Sequence, residues 1–331
     1  MVDPTPLRFP LSSSTIDHRG PTTGSGPADE ASPSSGSAFR SGFVAVIGRP
    51  NVGKSTLINR LVGQKVAITA AVPQTTRTRI LAILTLPQAQ LVLVDTPGIH
   101  HPRHRLGRRM VEEAKKALSD ADVVLFLLDG VVGVTAEDEA AAAFLLTVSS
   151  PIVAGLNKID RVDAARLAAI EDDVRRLGTF TAVVPISATA GANVNRLLEI
   201  LIGLLPAGPH YFPPEMITDQ PEQFMARELI REQAIHLTRD EVPHGVAVEI
   251  EEYTPRPRGN LVYIRATVHV DRDSHKKILI GREGRLLKQI GARARREIEA
   301  LLGRRVYLDL WVKVSKDWRE RADLIRAFYP E

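Results

Sequence analysis

Eight consecutive residues, Gly48-Arg49-Pro50-Asn51-Val52-Gly53-Lys54-Ser55, fit the pattern G-x-x-x-x-G-K-[ST]. Such a run does one kind of chemistry: its backbone N–H groups, with the N-terminus of the helix that follows, converge on a polyphosphate. Lys54 would neutralise charge on the β- and γ-phosphates and Ser55 would offer a hydroxyl to magnesium, with Gly48, Asn51, Val52, Gly53 and Thr56 completing the cradle. Asp95-Thr96-Pro97-Gly98 can set a carboxylate in the magnesium shell and the Gly98 N–H near the terminal phosphate. Between these two motifs, Pro73-Gln74-Thr75-Thr76-Arg77 carries hydroxyls and carbonyls that can reach magnesium and the γ-phosphate. Thr76 is the expected ligand and Thr75 the alternative. Asn157-Lys158-Ile159-Asp160 decides the base, because the Asp160 carboxylate can accept from both the guanine N1–H and the 2-amino group. Adenine has no such pair of donors, and a site built on hydrogen-bonding groups rejects a ligand that leaves them unpaired. GTP and GDP are therefore the expected ligands, and Ser187-Ala188 could add a backbone N–H to the guanine.

These motifs need rigid elements to carry them. Phe43 to Ile47 is a buried-strand pattern and Thr56 to Val62 a helix start, which places the phosphate-binding run at a strand-to-helix turn. Apolar runs at Ile80 to Leu86, Leu91 to Val94, Val123 to Leu128, Ile152 to Leu156 and Ala182 to Ile186 alternate with helical patterns. Short, nearly continuous apolar strands are expected where helices cover both faces of a mostly parallel sheet, whose ligands bind beyond the strand carboxyl ends. Each motif falls at such an end.

From Pro206 to Pro214 proline is too dense for a helix, and residues 208–223 are expected to be a semi-rigid linker. Beyond it Phe224 to Leu237 is helical, Val246 to Ile250 and Val262 to Val270 alternate as strands, and Val306 to Val314 makes a third. Lys276-Lys277-Ile278-Leu279-Ile280-Gly281-Arg282-Glu283-Gly284 precedes a helix whose stripe is Ile290, Ala294, Ile298 and Leu301. Alone, G-x-x-G signals only a tight turn between helices. In the order helix, strand, strand, helix, G-x-x-G, helix, strand it reads as a smaller α+β KH domain, a module that clamps about four nucleotides, and the order resembles the type II arrangement. Lys276, Lys277, Gly281, Arg282, Gly284, Arg285 and Lys288 are the candidate RNA contacts. Residues 276 to 316 hold twelve Lys or Arg against four Asp or Glu, while the whole chain carries only +4. That local surplus favours phosphate contact. Glu283 is unfavourable there, and Trp311 and Trp318 could stack bases or cover a sheet edge.

Composition bounds the rest. The chain has 331 residues, of which 44% are hydrophobic and 25% charged, and no cysteine, which excludes disulfides and cysteine-ligated metals. No apolar run approaches the roughly 20 residues of a membrane span and no secretory signal is evident, so cytoplasm is the expectation. Residues 1–40, rich in Ser, Pro and Gly, are expected to be disordered. His100, His101 and His104, set among Arg103, Arg105, Arg108 and Arg109, are expected to form a solvated basic face, since dense positive charge opposes a bound cation.

The order of motifs, from Gly48 to Thr56 through Pro73 to Arg77, Asp95 to His100 and Asn157 to Asp160, and on to Tyr211-Phe212-Pro213-Pro214, the G-x-x-G and Leu310-Trp311-Val312-Lys313-Val314, resembles the Era family of bacterial GTPases. The resemblance covers roughly residues 41 to 331. It implies a G domain at 41–207 and a type II KH domain at 224–331. It also implies binding near the 3′ end of small-subunit ribosomal RNA, a role in small ribosomal subunit maturation, and peripheral contact with the inner membrane face. A monomer is expected. Ras-like GTPases orient the attacking water with a glutamine after the D-x-x-G glycine; Ile99 stands there, so slow intrinsic hydrolysis is expected. Potassium beside Asn51 could stand in, as in some members of this GTPase class. Catalytic roles fall to Lys54, Thr76 and Gly98, and magnesium ligation to Ser55 and Thr76 with Asp95 behind them. The competing class is an RNA-binding module whose nucleotide never turns over. A third, an enzyme that alters RNA covalently, has no cluster of acid, base or nucleophile to support it.

Overall fold

The structure, a computed structural model, describes residues 6–8, 38–70, 72–99, 102, 104–256 and 260–330. Two sheets organise them. The first is built from β1 (Pro6–Arg8), β2 (Arg40–Ile47), β3 (Ile80–Leu86), β4 (Ala89–Asp95), β5 (Val123–Asp129), β6 (Ile152–Asn157), β7 (Ala182–Pro185) and β8 (Met216–Pro221). Their order is β1-β8-β3-β4-β2-β5-β6-β7. From β4 to β7 all pairings are parallel, and β3 and β8 are added antiparallel. Helices α1 (Lys54–Val62) and α5 (Val194–Leu204) close one face and α2 (Arg105–Ser119), α3 (Ala136–Leu145) and α4 (Ala164–Leu177) the other. All seven residues of β5 are buried, as expected of a strand covered on both faces.

Each face has its own core. Val44, Val46, Leu91, Leu93 and Leu125 pack with Leu57 and Ile58 of α1 and Leu197 and Leu201 of α5. The intervening Ala45, Ile47, Val124 and Phe126 pack with Ala114, Leu118, Ala141, Leu145 and Val174. β2 lies at the centre, flanked by β4 and β5, so the chain leaving its carboxyl end enters the crevice where strand order reverses.

Two expectations are corrected here. Residues 208–223 are not simply a linker, because Met216–Pro221 forms β8 on the edge of β3. Proline bars a helix but not an edge strand, and the outer edge of β3 has backbone groups that need partners. The stretch before β8 is also fastened. Buried Gln90 accepts from the N–H groups of Tyr211 (2.7 Å) and Phe212 (3.0 Å) and donates to the Phe212 carbonyl (2.9 Å). Thr218 donates to the Leu81 carbonyl at 2.7 Å. Of residues 1–40, expected to be disordered, most lie outside the described residues, but Pro6–Arg8 pairs antiparallel with β8.

The second sheet, in the order β11-β10-β9, joins β9 (Ala247–Arg256), β10 (Leu261–Val270) and β11 (Arg305–Val314). β9 and β10 are antiparallel, β10 and β11 parallel. Around it lie α6 (Glu222–His236), α7 (Asp273–Ile280), α8 (Arg285–Leu302) and α9 (Ala322–Phe328). Ile290, Ala294 and Ile298 are fully buried against Val262, Ile264, Ala266 and Val268, the stripe that their spacing predicts. Among the described residues no helix is long and apolar enough to cross a membrane.

Replacing Gln90 with Ala should strand the Tyr211 and Phe212 backbone groups and lower stability by roughly 2–3 kcal/mol. The denaturant midpoint of the full chain measures this, and an unchanged midpoint would show that the segment is not held there.

Candidate functional site

The phosphate-binding run turns sharply between β2 and α1. Asn51 and Gly53 take left-handed backbone (φ 64° and 103°), and α1 opens on Gly53 without a side-chain cap, which leaves its first N–H groups for a ligand. Lys54 is 7% exposed and donates to the Gly48 and Arg49 carbonyls, each at 3.0 Å. Burial pushes its ammonium down to about 8, opposed by the nearby Asp95 carboxylate. A cavity of about 410 Å³ opens beside the run, lined by Pro50, Asn51, Lys54, Ser55, Thr69, Thr76, Gly98 and Lys158 among others.

Three segments meet at Asp95, at the carboxyl end of β4. The Ser55 hydroxyl donates to Asp95 Oδ2 at 2.8 Å, Thr76 Oγ1 donates to the same oxygen at 3.1 Å, and the two hydroxyls are 3.1 Å apart. Burial pushes the Asp95 carboxyl up, against the pull of Lys54 and the two hydroxyls. Its Oδ1 is buried with no hydrogen-bond partner among the described residues. Hard oxygen donors around an unsatisfied buried carboxylate oxygen suit magnesium. Thr75 faces elsewhere, its hydroxyl donating to the Val72 carbonyl at 2.7 Å. Gly98 allows the loop after β4 to close on the phosphate run, since a Cβ there would sit 2.7 Å from the Pro50 nitrogen. Ile99 is 3% exposed and packs into the core with Ala45, Ile47 and Leu118, so it turns away from the site.

At the base end, Asn157 is a brace. Its Nδ2 donates to the Val52 carbonyl at 2.8 Å and its Oδ1 accepts the Ala188 N–H at 2.9 Å. Lys158, itself left-handed (φ 69°), donates to the Asn51 carbonyl at 2.8 Å and to Asp129 Oδ2 at 2.6 Å. Ser187 Oγ donates to Asp160 Oδ1 at 2.5 Å and so orients the exposed carboxylate. This revises the part expected of Ser187-Ala188. Both backbone N–H groups bond within the protein, Ser187's to Ala192 and Ala188's to Asn157, so the pair positions Asn157 and Asp160.

In the second unit, Gly281 and Gly284 take positive φ (71° and 74°) with Glu283 (φ 55°) between them, a turn that only glycine adopts readily at both ends. A Cβ at Gly284 would meet nothing within 4 Å, so nucleic-acid backbone could approach there. Lys277, Arg282, Arg285 and Lys288 are exposed around the turn and Lys276 is half-buried. Glu283 pairs with Arg285 at 3.0 Å, which offsets its charge beside the turn. Half-buried Leu308, Leu310 and Val312 of the edge strand β11 lie on the side facing α8. Trp311 is 60% exposed, whereas Trp318 is fully buried with its Nε1 donating to the Gly245 carbonyl at 2.9 Å, so of the two only Trp311 is open to a base.

Of the basic face expected after Gly98, Arg105 and Arg108 are exposed and Arg109 is half-buried. His100, His101 and Arg103 lie outside the described residues, but His104 caps α2, its Nδ1 accepting the Gly107 N–H at 2.8 Å. Leu106 and Met110, on the opposite apolar face of the same helix, bury against Trp318, Ile325, Phe328 and Tyr329, so that face docks on the second unit while Arg105 and Arg108 stay exposed. Among the described residues no group of three metal-ligating side chains occurs. Sequence reasoning also missed Asp129 and Asp138. Desolvation pushes the Asp129 carboxyl up, but the Lys158 ammonium outweighs it and holds it below its ordinary value. Asp138 pairs with Arg49 of the phosphate run at 3.2 Å. Its capping box with Thr135 was a local signal, but the pairing with Arg49 was not.

The family described as 50S ribosome-binding GTPase matches residues 43–158 and the KH domain family matches 241–319. The GTPase Era of Halothermothrix orenii is 49% identical over 289 residues, 87% of this chain and 98% of that one. That of Alkaliphilus oremlandii is 47% identical over the same length. Among solved structures, Era in complex with MgGDPNP and nucleotides 1506–1542 of 16S ribosomal RNA is 43% identical and superposes with TM-score 0.86 over 88% of this chain and 99% of that one. A variant of Aquifex aeolicus Era bound to GDP·AlF4− superposes with TM-score 0.85, also at 43% identity. Identity of nearly half over almost the full length of these relatives, with the same two domains in the same order, places this chain in the Era family of GTPases.

Proposed function

We propose that the chain is a GTP-hydrolysing switch that binds ribosomal RNA through its KH domain, near the 3′ end of the small-subunit RNA, and acts in small-subunit assembly. The meeting of Ser55, Thr76 and Asp95 carries this reading. It joins the phosphate run to the two segments that a γ-phosphate would order, and both segments touch the domain that bears the G-x-x-G. A relative solved with an RNA fragment from that region supports the choice of RNA. A monomeric state and contact with the inner membrane face rest on the family resemblance alone.

In this reading the backbone N–H groups of Gly53 to Thr56 and the Lys54 ammonium hold the β- and γ-phosphates, and Ser55 and Thr76 ligate magnesium with Asp95 behind them. Magnesium, when bound, neutralises charge developing between the β- and γ-oxygens. Asp160, set by Ser187, accepts from guanine. With Ile99 turned into the core, water is left to the Gly98 N–H and the Thr76 backbone, and potassium beside Asn51 is the proposed aid. Hydrolysis without RNA is therefore slow. The alternative, a nucleotide that never turns over, predicts no phosphate release with or without the RNA.

Phosphate release should be measurable and should change when the 16S 3′ fragment is added. Gly284→Asp should keep basal release while weakening RNA binding at least tenfold, because it sets an anion where phosphate approaches. Equal RNA affinity would exclude the G-x-x-G as the contact.

Lys54 gives a signed pH dependence. Phosphate oxygens hold its proton more tightly than the free site does, so GTP affinity is complete below pH 8 and declines toward tenfold per pH unit above it. Titrating GTP between pH 7 and 10 checks this, and a flat profile would refute it. Asp160→Asn should move preference from GTP to xanthosine triphosphate, whose 2-oxo group accepts where guanine donates. Retained GTP preference in competition binding would remove Asp160 from base recognition.

A further inference from the structure

The segment that carries Thr76 is held from both sides by the second domain. Ile68, 2% exposed, belongs to the same core as Ala226, Leu229 and Ile230 of α6. The Thr69 N–H donates to Glu232 Oε1 at 2.9 Å, and Lys65 bridges Glu232 and Glu297 at 2.5 and 2.6 Å. Immediately before Thr76, the Thr75 carbonyl accepts from Arg231 Nη2 at 2.5 Å. Immediately after it, the Arg77 guanidinium crosses into the second domain. There it donates to the Val246 carbonyl (2.6 Å), the Tyr329 hydroxyl (2.8 Å) and the His244 carbonyl (3.1 Å), close over the Trp318 ring. Thr76 itself points the other way, toward Ser55 and Asp95.

We propose that Arg231 and Arg77 are positioning residues for the magnesium site, holding the backbone on either side of Thr76 so that its hydroxyl stands at Asp95. The inference rests on Thr76 being a magnesium ligand. An irregular segment held only at its ends would sample many conformations, and fixing one residue's backbone costs about 1–2 kcal/mol. Here the cost is met by another domain. Arg231 is fully buried and ion-paired with Glu228, and Arg77 is 6% exposed with three hydrogen bonds into the second domain, so neither can swing away without leaving buried partners unsatisfied. Docking of the KH domain thereby sets how readily the G domain completes its metal site.

The test is the magnesium concentration that half-saturates GTP hydrolysis by the full chain. Arg77→Gln, which removes the charge and cannot span all three acceptors, should raise it about tenfold or more, while GDP affinity in EDTA stays at the wild-type value. Thr76→Ala should raise it at least as far, and Arg77→Gln added to Thr76→Ala should add nothing, because the first acts through the second. Should Arg77→Gln not fold, Tyr329→Phe removes one of its acceptors and should give a rise of about threefold. Additive shifts, or a wild-type requirement in Arg77→Gln or Tyr329→Phe beside a shifted Thr76→Ala, overturn the inference alone. A wild-type requirement in Thr76→Ala overturns the ligand reading and the inference with it.

Discussion

Among the described residues no ion pair contacts the buried Asp95 carboxylate, and much of the nucleotide domain is arranged around that fact. Removing a carboxylate from water is costly unless donors replace the lost hydration. Here the donors are the hydroxyls of Ser55 and Thr76, one from the start of α1 and one from the irregular segment before β3, with Lys54 close enough to favour the ionised form. Three stretches far apart in sequence are thus drawn to the carboxyl end of one strand. The carboxylate still has one unsatisfied oxygen, which is where a cation's contribution would fall.

From that point the constraint spreads outward. The segment bearing Thr76 is irregular and has little cohesion of its own, so its course follows what it packs against. That is α6, where Met225 to Ile235 are all buried, four of them charged. Such a helix cannot be a solvated surface element, and its charges are matched by the G-domain segment on one side and by their own neighbours on the other. The helix after Gly98 docks likewise through Leu106 and Met110 on Trp318 and Tyr329. The stretch around Thr76 and the helix after Gly98 thus both lie at the contact between the domains.

The nucleotide site was largely legible before the structure. Gly48 to Ser55, Asp95 to Gly98 and Asn157 to Asp160 each lie within a few residues, at strand ends announced by apolar runs, and Ile80 to Leu86 was bounded to the residue. The KH elements were legible for the same reason: alternation in β9, β10 and β11 and the Ile290, Ala294, Ile298 stripe are local patterns. What escaped were partners distant in sequence, such as Asp138 for Arg49 or Gln90 for Tyr211 and Phe212. No periodicity predicts which strand edge a proline-rich stretch will meet, and β8 therefore has no local signature.

Sequence alone determined the chemistry on offer: a phosphate cradle, a guanine-reading carboxylate, a pair of threonines, an isoleucine where a glutamine would hold water, and a glycine turn with basic neighbours. Those follow from residue types at short fixed spacings, which backbone geometry converts directly into local shape. Only the tertiary structure decided which threonine faces Asp95, that Ile99 points into the core, that Ser187 and Ala188 brace Asp160 and Asn157, and that Arg77 leaves its own domain. Each of those depends on which surfaces pack together, and packing is settled by burial and charge matching between segments far apart in the chain.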